Sequence, residues 1–125
     1  MTFSAIPVIV DTNRKIFKLV GTGSTDTEGY RSAIQPVANH PLFEPGYQLL
    51  VDARKLNYTP SPSEVYMFAK MHTSIEAFRS SKVAVVVSKV SDYGMANMFA
   101  AQCNLSGVKV EAFLSIQVAE LWLAE

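Results

Sequence analysis

The stretch from Tyr47 to Phe78 constrains the fold more than any other part of this chain. It begins with a short apolar run that ends at Asp52, and eight residues later it continues as Ser61-Pro62-Ser63-Glu64. Serine at the cap, proline at the first helical position and glutamate at the third together form a complete helix start. A buried strand followed by a helix predicts a parallel α/β arrangement, because a helix is the usual connection between parallel strands.

The rest of the chain alternates between apolar runs typical of strands and periodic segments typical of helices. The predicted strands are Phe3 to Val10, Lys15 to Gly21, Gln48 to Asp52, Lys82 to Ser88 and Val108 to Phe113. The first predicted helix runs from about Asp26 to Ala38, after a capping box at Thr25 and Glu28, and the second begins at Ser61. The third runs from Ser91 or Asp92 to about Asn104, and the fourth from Ile116 to the end, after a cap at Ser115. The order ββαβαβαβα predicts one α/β domain over residues 1–125, with four helices on a mixed, mostly parallel five-stranded sheet. The first two strands should pair antiparallel, because their connection is too short for a crossover.

The second helix carries apolar side chains on more than one face. Its inward stripe, facing the sheet, is predicted to consist of Val65, Phe68, Met71, Ile75 and Phe78. Tyr66 and Met67 fall outside that stripe, so they predict an apolar surface for a ligand, a partner protein or a peripheral membrane contact. The simpler alternative assigns these residues to the core and to a homodimer contact.

Charge and composition exclude several classes of function. The chain has 11 basic and 11 acidic side chains, which argues against non-specific nucleic-acid binding. No apolar run approaches the roughly 20 residues of a spanning helix, and no secretion signal is recognisable at the N-terminus. A single cysteine, Cys103, cannot form an intramolecular disulfide. We therefore expect a cytoplasmic protein.

Four features of the sequence occur together in one known family. They are the opening hairpin, Val51-Asp52 before an elongated loop, the valine-rich strand at Lys82, and the ending Phe113, Ala119 and Trp122-Leu123, which has the pattern F-x₅-A-x₂-WL. With these features the chain resembles the SpoIIAA-like family, part of the wider STAS group of anti-sigma-factor-antagonist-like domains. The resemblance implies a mixed sheet with helices packed on it. It also implies similarity to CRAL-TRIO lipid-binding domains, which hold apolar ligands beneath a mobile helix.

Antagonists of this group carry a phosphorylatable serine at the start of the helix after the central strand, and Ser61 stands near that place. Pro60 replaces the acidic neighbour of the family pattern, and the glycine that usually follows the serine is absent. We therefore interpret Ser61 first as a helix cap and second as a phosphorylation site.

Other reactive residues have simple interpretations. His72 lies at the border of the apolar stripe, where a metal site would need two or more further ligands. The nearest candidate, Glu76, is interpreted as an ordinary surface contact of His72. Cys103 lies in an apolar helical pattern and is interpreted as a buried packing thiol. Gly21-Thr22-Gly23-Ser24 lacks the remaining residues of a nucleotide-binding motif and is interpreted as a turn. No catalytic residue, metal ligand or cofactor site is predicted.

We therefore predict a binding module rather than an enzyme. The first hypothesis is a small apolar or lipid-like ligand held between the loop after the central strand, the second helix and the carboxyl edge of the sheet, where open α/β sheets bind ligands. The residues predicted for that site are Arg54, Tyr58, Tyr66, Met67 and Met71. The alternative is a protein-interaction regulator of the anti-sigma-factor-antagonist type, phospho-controlled near Ser61.

Overall fold

The computed structural model of the chain describes residues 8–23 and 27–125. The strands of this part are β1 (Val8–Asp11), β2 (Ile16–Gly23), β3 (Gln48–Leu56), β4 (Val83–Val86) and β5 (Val110–Phe113). The helices are α1 (Thr27–Ala38), α2 (Pro62–Thr73), α3 (Val90–Leu105) and α4 (Ile116–Ala124), and a short 3₁₀ turn follows α2 at Glu76–Phe78. The predicted mixed α/β fold, with its element order, is confirmed.

The strands lie side by side in the order β1-β2-β3-β4-β5. β1 pairs antiparallel with β2, and each later strand pairs parallel with the one before it. The hairpin turn is held by Asp11, whose carboxylate accepts bonds from the backbone N–H and the Nε of Arg14, at 3.0 and 2.9 Å. The predicted start of β1 at Phe3 and the predicted capping box at Thr25 involve residues outside the described ranges.

Three helices cover one face of the sheet and α4 covers the other. The three crossovers advance in one direction, and crossovers between parallel strands are right-handed, so α1, α2 and α3 fall on the same face. Leu49 of β3 packs in the core beneath these helices, whereas the next residue, Leu50, packs against Ala119 and Leu123 of α4. The F-x₅-A-x₂-WL ending is thus the inner face of α4 together with the strand before it.

β3 is longer than the sequence predicts. It does not end at Asp52 but continues to Leu56, so the predicted eight-residue loop shrinks to residues 57–61. The pairing with β2 shifts register between Val20 and Thr22, which marks a bulge beyond Asp52. The Asp52 carboxylate accepts a bond from the backbone N–H of Arg54 at 3.2 Å and steadies this bulge. The apolar sequence pattern of β3 ends at these polar residues, but its backbone pairing with β2 continues past them.

The predicted start of α2 is confirmed. Ser61 Oγ accepts a bond from the Glu64 backbone N–H at 3.3 Å, and the Glu64 carboxylate accepts one from the Ser61 N–H at 3.0 Å. A cap of this kind contributes about 1 kcal/mol. The helix ends at Thr73, so Phe78 reaches the core from the separate 3₁₀ turn rather than from α2.

The predicted cap of α3 is wrong. The helix begins at Val90 with Lys89 in the cap position, and Lys89 makes no side-chain capping bond. Neither Ser91 nor Asp92 stands before the first turn. The Asp92 carboxylate instead accepts a bond from the Thr59 hydroxyl at 2.5 Å, which ties α3 to the loop before α2.

Candidate functional site

A cavity of about 140 Å³ opens at the carboxyl ends of β2, β3 and β4, beneath α1, α2 and α3. Its origin is visible on the helix-covered face of the two central strands. Leu49 and Val83, which pair across β3 and β4, are 0% exposed, whereas the next pair on the same face, Val51 and Val85, is partly exposed. The helices therefore cover the amino-terminal half of these strands and spread apart above the carboxyl-terminal half.

The wall of the cavity is built almost entirely from apolar side chains. Val51 and Val85 come from the strands, and the helices contribute Tyr30, Ala33, Val65, Phe68, Met95 and Phe99. The ring of Tyr30 packs against Phe68 and Phe99, with centroid distances of 5.5 and 6.3 Å. The sequence gives no signal for this set, because each member also fits the pattern of an ordinary core residue.

The loop between β3 and α2 borders the cavity and is fastened at two points. Tyr58 and Pro60 line the space. The Tyr58 hydroxyl donates to the Glu64 carboxylate of α2, and the Thr59 hydroxyl donates to Asp92 of α3. The bonds from the Ser61 N–H and from Tyr58 hold the pKa of Glu64 below its ordinary value. These polar groups therefore bond to one another at the border of the apolar space.

Asp52 and Arg54 form a tight pair beside the cavity. The guanidinium donates from Nε to Asp52 Oδ1 and from Nη2 to Oδ2, both at 2.8 Å. The bonds from Arg54 lower the pKa of the buried Asp52 carboxyl. Asp52 borders the cavity, whereas Arg54 is not among the lining residues of the described chain.

The predicted site residues occupy three different places. Tyr58 lines the cavity, and Arg54 is held at its side by Asp52. Met71 is buried in the main core. Tyr66 and Met67 are 51% and 50% exposed, on the outer surface of α2, and they do not line the cavity.

His72 lies inside the protein, and its predicted place at the border of the apolar stripe, paired with Glu76, is wrong. The ring is 0% exposed and stacks on Phe78, with centroids 4.7 Å apart and planes 6° apart. Its Nδ1 lies 3.1 Å from the Tyr30 hydroxyl. Its Nε2 has no hydrogen-bond partner among the described residues. The 3₁₀ turn folds Phe78 back over the ring, which the sequence pattern of α2 alone does not reveal.

Burial keeps the pair of Tyr30 and His72 uncharged. It lowers the pKa of His72 to about 4 and raises the pKa of the Tyr30 phenol. At neutral pH the imidazole and the phenol are therefore both neutral, and their bond joins the cavity wall to the core.

The pKa of His72 makes the stability of the protein dependent on pH. An unfolded histidine has its ordinary pKa of 6.5, so between about pH 6.5 and 4 the unfolded chain binds a proton here that the folded chain does not. Stability is therefore lost as the pH falls through this window, by about 2 kcal/mol at pH 5. We expect wild type to lose that much more of its free energy of unfolding between pH 7 and 5 than His72→Asn, as measured by urea unfolding. Asparagine keeps an oxygen acceptor near the Nδ1 position, and an equal loss in both proteins would contradict this account.

The remaining candidates are structural. Cys103 is fully buried, and burial raises the pKa of its thiol to about 12, so the interpretation as a packing thiol is confirmed. Gly21-Thr22-Gly23 is the end of β2 rather than a turn, and Thr22 and Gly23 pair with Lys55 and Leu56. Within residues 8–23 and 27–125, no three histidine, cysteine or acidic side chains come together as metal ligands. In the same ranges, no helix combines the length and apolarity needed to cross a membrane.

Comparison with known proteins identifies the fold. No family model and no curated protein matches the chain. Among solved structures, an uncharacterized protein of the DUF3478 family from Shewanella loihica PV-4, described as having a SpoIIAA-like fold, is similar with a TM-score of 0.62 and 16% identity. The match covers 95% of this chain and 92% of that one. The similarity to CRAL-TRIO domains stays a prediction. The hairpin, the parallel strands and the packing of α4 therefore make up a SpoIIAA-like fold, as the sequence resemblance predicts.

Proposed function

We propose that the protein is a non-enzymatic binding module that holds a small apolar ligand in the cavity at the carboxyl edge of its sheet. The observation that carries this proposal is the partial exposure of Val51 and Val85 on a face that helices otherwise seal. Apolar surface left open in the middle of a sheet loses the stabilisation of burial. A ligand that fills the space would restore it.

The size and lining of the cavity suit an apolar ring or the end of an acyl chain. An apolar cavity of about 150 Å³ is known to stay dry and to bind benzene, and the present cavity has about 140 Å³. Ligand sites are generally concave and apolar with a few polar groups. Here the polar groups are Asp52, which Arg54 holds, and the bonded side chains of the bordering loop.

The loop of residues 57–61 is the natural route of entry. Two side-chain bonds, from Tyr58 to Glu64 and from Thr59 to Asp92, fasten it to α2 and α3. Breaking these bonds opens the border of the cavity without disturbing the buried core. Opening of a loop that closes a site in this way occurs on the microsecond to second scale.

The test is recovery of a ligand together with a binding panel. Native mass spectrometry before and after solvent extraction should reveal a small molecule that leaves with the organic phase. Methylenecyclohexane, fatty acids and phospholipids are then added to the extracted protein, and thermal unfolding is recorded. We expect at least one apolar probe to raise the midpoint, because a ligand that binds only the folded state stabilises it. An apoprotein whose midpoint none of the probes changes would contradict the proposal.

A second candidate function, interaction with another protein, is supported by the outer surface of the helices. Tyr66 and Met67 of α2 and Leu105 of α3 are exposed, and Tyr66 and Leu105 line a shared groove. If this surface joins two copies of the chain, wild type should sediment as a dimer and the double change Tyr66→Ser, Met67→Ser as a monomer. Monomeric wild type would count against the dimer. Phospho-control at Ser61 would be abandoned if Ser61→Glu kept the oligomeric state and partners of wild type.

A further inference from the structure

The polar side chains of the loop at the border of the cavity are bonded to neighbouring helices. The Tyr58 hydroxyl donates to the Glu64 carboxylate of α2, and the Thr59 hydroxyl donates to Asp92 of α3. No lysine, arginine or histidine lines the cavity in the part of the chain that the structure describes. Discrimination between ligands therefore falls to the apolar side chains that make up most of the wall.

The wall contains three aromatic rings, and each comes from a different helix. Tyr30 of α1, Phe68 of α2 and Phe99 of α3 all line the cavity. The ring centroid of Tyr30 lies 5.5 Å from that of Phe68 and 6.3 Å from that of Phe99, with interplanar angles of 59° and 88°. Both distances fall within the range of about 4.5–7 Å in which aromatic pairs attract one another. Phe68 is also partly exposed, so this aromatic cluster keeps uncovered surface beside the cavity.

An aromatic ligand would extend this cluster. The face of an aromatic ring is electronegative and its edge is electropositive, so two rings attract each other edge to face or when offset and stacked. Whichever part of Phe68 borders the space, an aromatic ligand can turn the complementary part of its own ring toward it. A saturated ring or an alkyl chain lacks this charge distribution and gains only dispersion and burial. Met95 also lines the cavity, and its sulfur atom is of the kind that makes favourable contacts with aromatic rings.

We infer that the cavity selects ligands that carry an apolar aromatic ring over saturated rings and alkyl chains with the same number of carbons. This inference names the ligand class and rests on the proposed function. The cavity volume of about 140 Å³ admits one such ring. Burial of apolar surface supplies the affinity that all hydrocarbons share, and the aromatic cluster supplies the preference among them.

The test compares three hydrocarbons of seven carbons each, which are toluene, methylcyclohexane and n-heptane. Dissociation constants are measured by NMR titration for wild type and for Phe68→Leu, in which an aliphatic side chain replaces the ring. We expect the change to weaken the binding of toluene about two- to twelvefold more than that of methylcyclohexane, the contribution of one aromatic pair. Comparing two probes on the same two proteins cancels the hydration of each probe. The matched control is Tyr66→Leu, which removes a ring from the outer surface of α2 and should leave both affinities unchanged.

A second measurement uses wild type alone and does not depend on the folding of a variant. Each dissociation constant is corrected for the partition of the probe from water into cyclohexane, which removes differences in hydrophobicity. Toluene should then bind at least about twofold more tightly than methylcyclohexane and n-heptane.

Two results would overturn the inference while leaving the proposed function in place. One is equal weakening of toluene and methylcyclohexane by Phe68→Leu. The other is a corrected wild-type affinity for a saturated probe that equals or exceeds that for toluene. If none of the three hydrocarbons bound wild type, the proposed function would fall, and this inference with it.

Discussion

Val51→Phe is expected to weaken the binding of methylenecyclohexane by at least about tenfold, a loss of about 1.4 kcal/mol of binding free energy. Val51 lies on the helix-covered face of β3, is partly exposed and lines the cavity. A phenylalanine ring at this position would occupy the space that the ligand requires. Aromatic residues are well tolerated in strands, so the folded state should persist. The affinity is measured by NMR titration and the stability by urea unfolding.

The matched control is Val118→Phe. Val118 is 51% exposed on α4, which packs on the opposite face of the sheet. The same increase in side-chain size there should leave the affinity for the probe unchanged. If Val51→Phe folded normally and bound the probe as well as wild type does, the cavity would not be the binding site.

Phe78→Ala is expected to lower the free energy of unfolding by about 3–5 kcal/mol, the usual cost of deleting a fully buried phenylalanine. Phe78 is 0% exposed. Its ring stacks on His72 and meets Phe43 edge-on, with a centroid distance of 5.4 Å. The 3₁₀ turn thus supports the imidazole that holds Tyr30 in the cavity wall. Chemical unfolding in urea at pH 7 provides the value.

Tyr66→Ala is the control for this prediction. Tyr66 is half exposed on the outer surface of α2, so its loss should change the free energy of unfolding by less than about 0.5 kcal/mol. A cost for Phe78→Ala as small as that for Tyr66→Ala would show that the 3₁₀ turn is not part of the core.

The fold could be predicted from sequence because its signals are local. The β-branched run after Lys82 and the cap at Ser61 each specify an element without reference to the rest of the chain. The end of β3 is a feature that local sequence signals do not predict. Its last residues, including Arg54 and Lys55, carry polar side chains, yet their backbone still pairs with β2 across a bulge. A bulge depends on the neighbouring strand, which the sequence pattern of β3 does not contain.

The candidate site was less predictable because it is a property of packing. The sequence suggested the carboxyl edge of the sheet and Tyr58, and the cavity lies there. The sequence also predicts Tyr66 and Met67 as site residues, because they fall outside the inward stripe of α2, yet both lie on its outer surface. The sequence does not distinguish Val51 and Val85 from core residues. A valine in a strand has the same sequence pattern whether a helix or a gap between helices lies above it.

His72 shows that the sequence pattern also fails to predict the burial of a polar residue. The helical period of α2 placed it at a border, where solvent would be expected. Phe78 and Phe99, which enclose it, come from the 3₁₀ turn and from α3. Only the tertiary contacts show that its pKa is lowered by burial and that Tyr30 is its partner.

The most direct test of the central claim is to locate a bound apolar probe by NMR. Wild-type protein with labelled methyl groups on valine, leucine and methionine is saturated with methylenecyclohexane, and intermolecular nuclear Overhauser effects are recorded. The account predicts contacts from the probe to the methyl groups of Val51, Val85 and Met95, which line the cavity. Contacts confined to Met67 and Leu105, on the outer surface of α2 and α3, would contradict it.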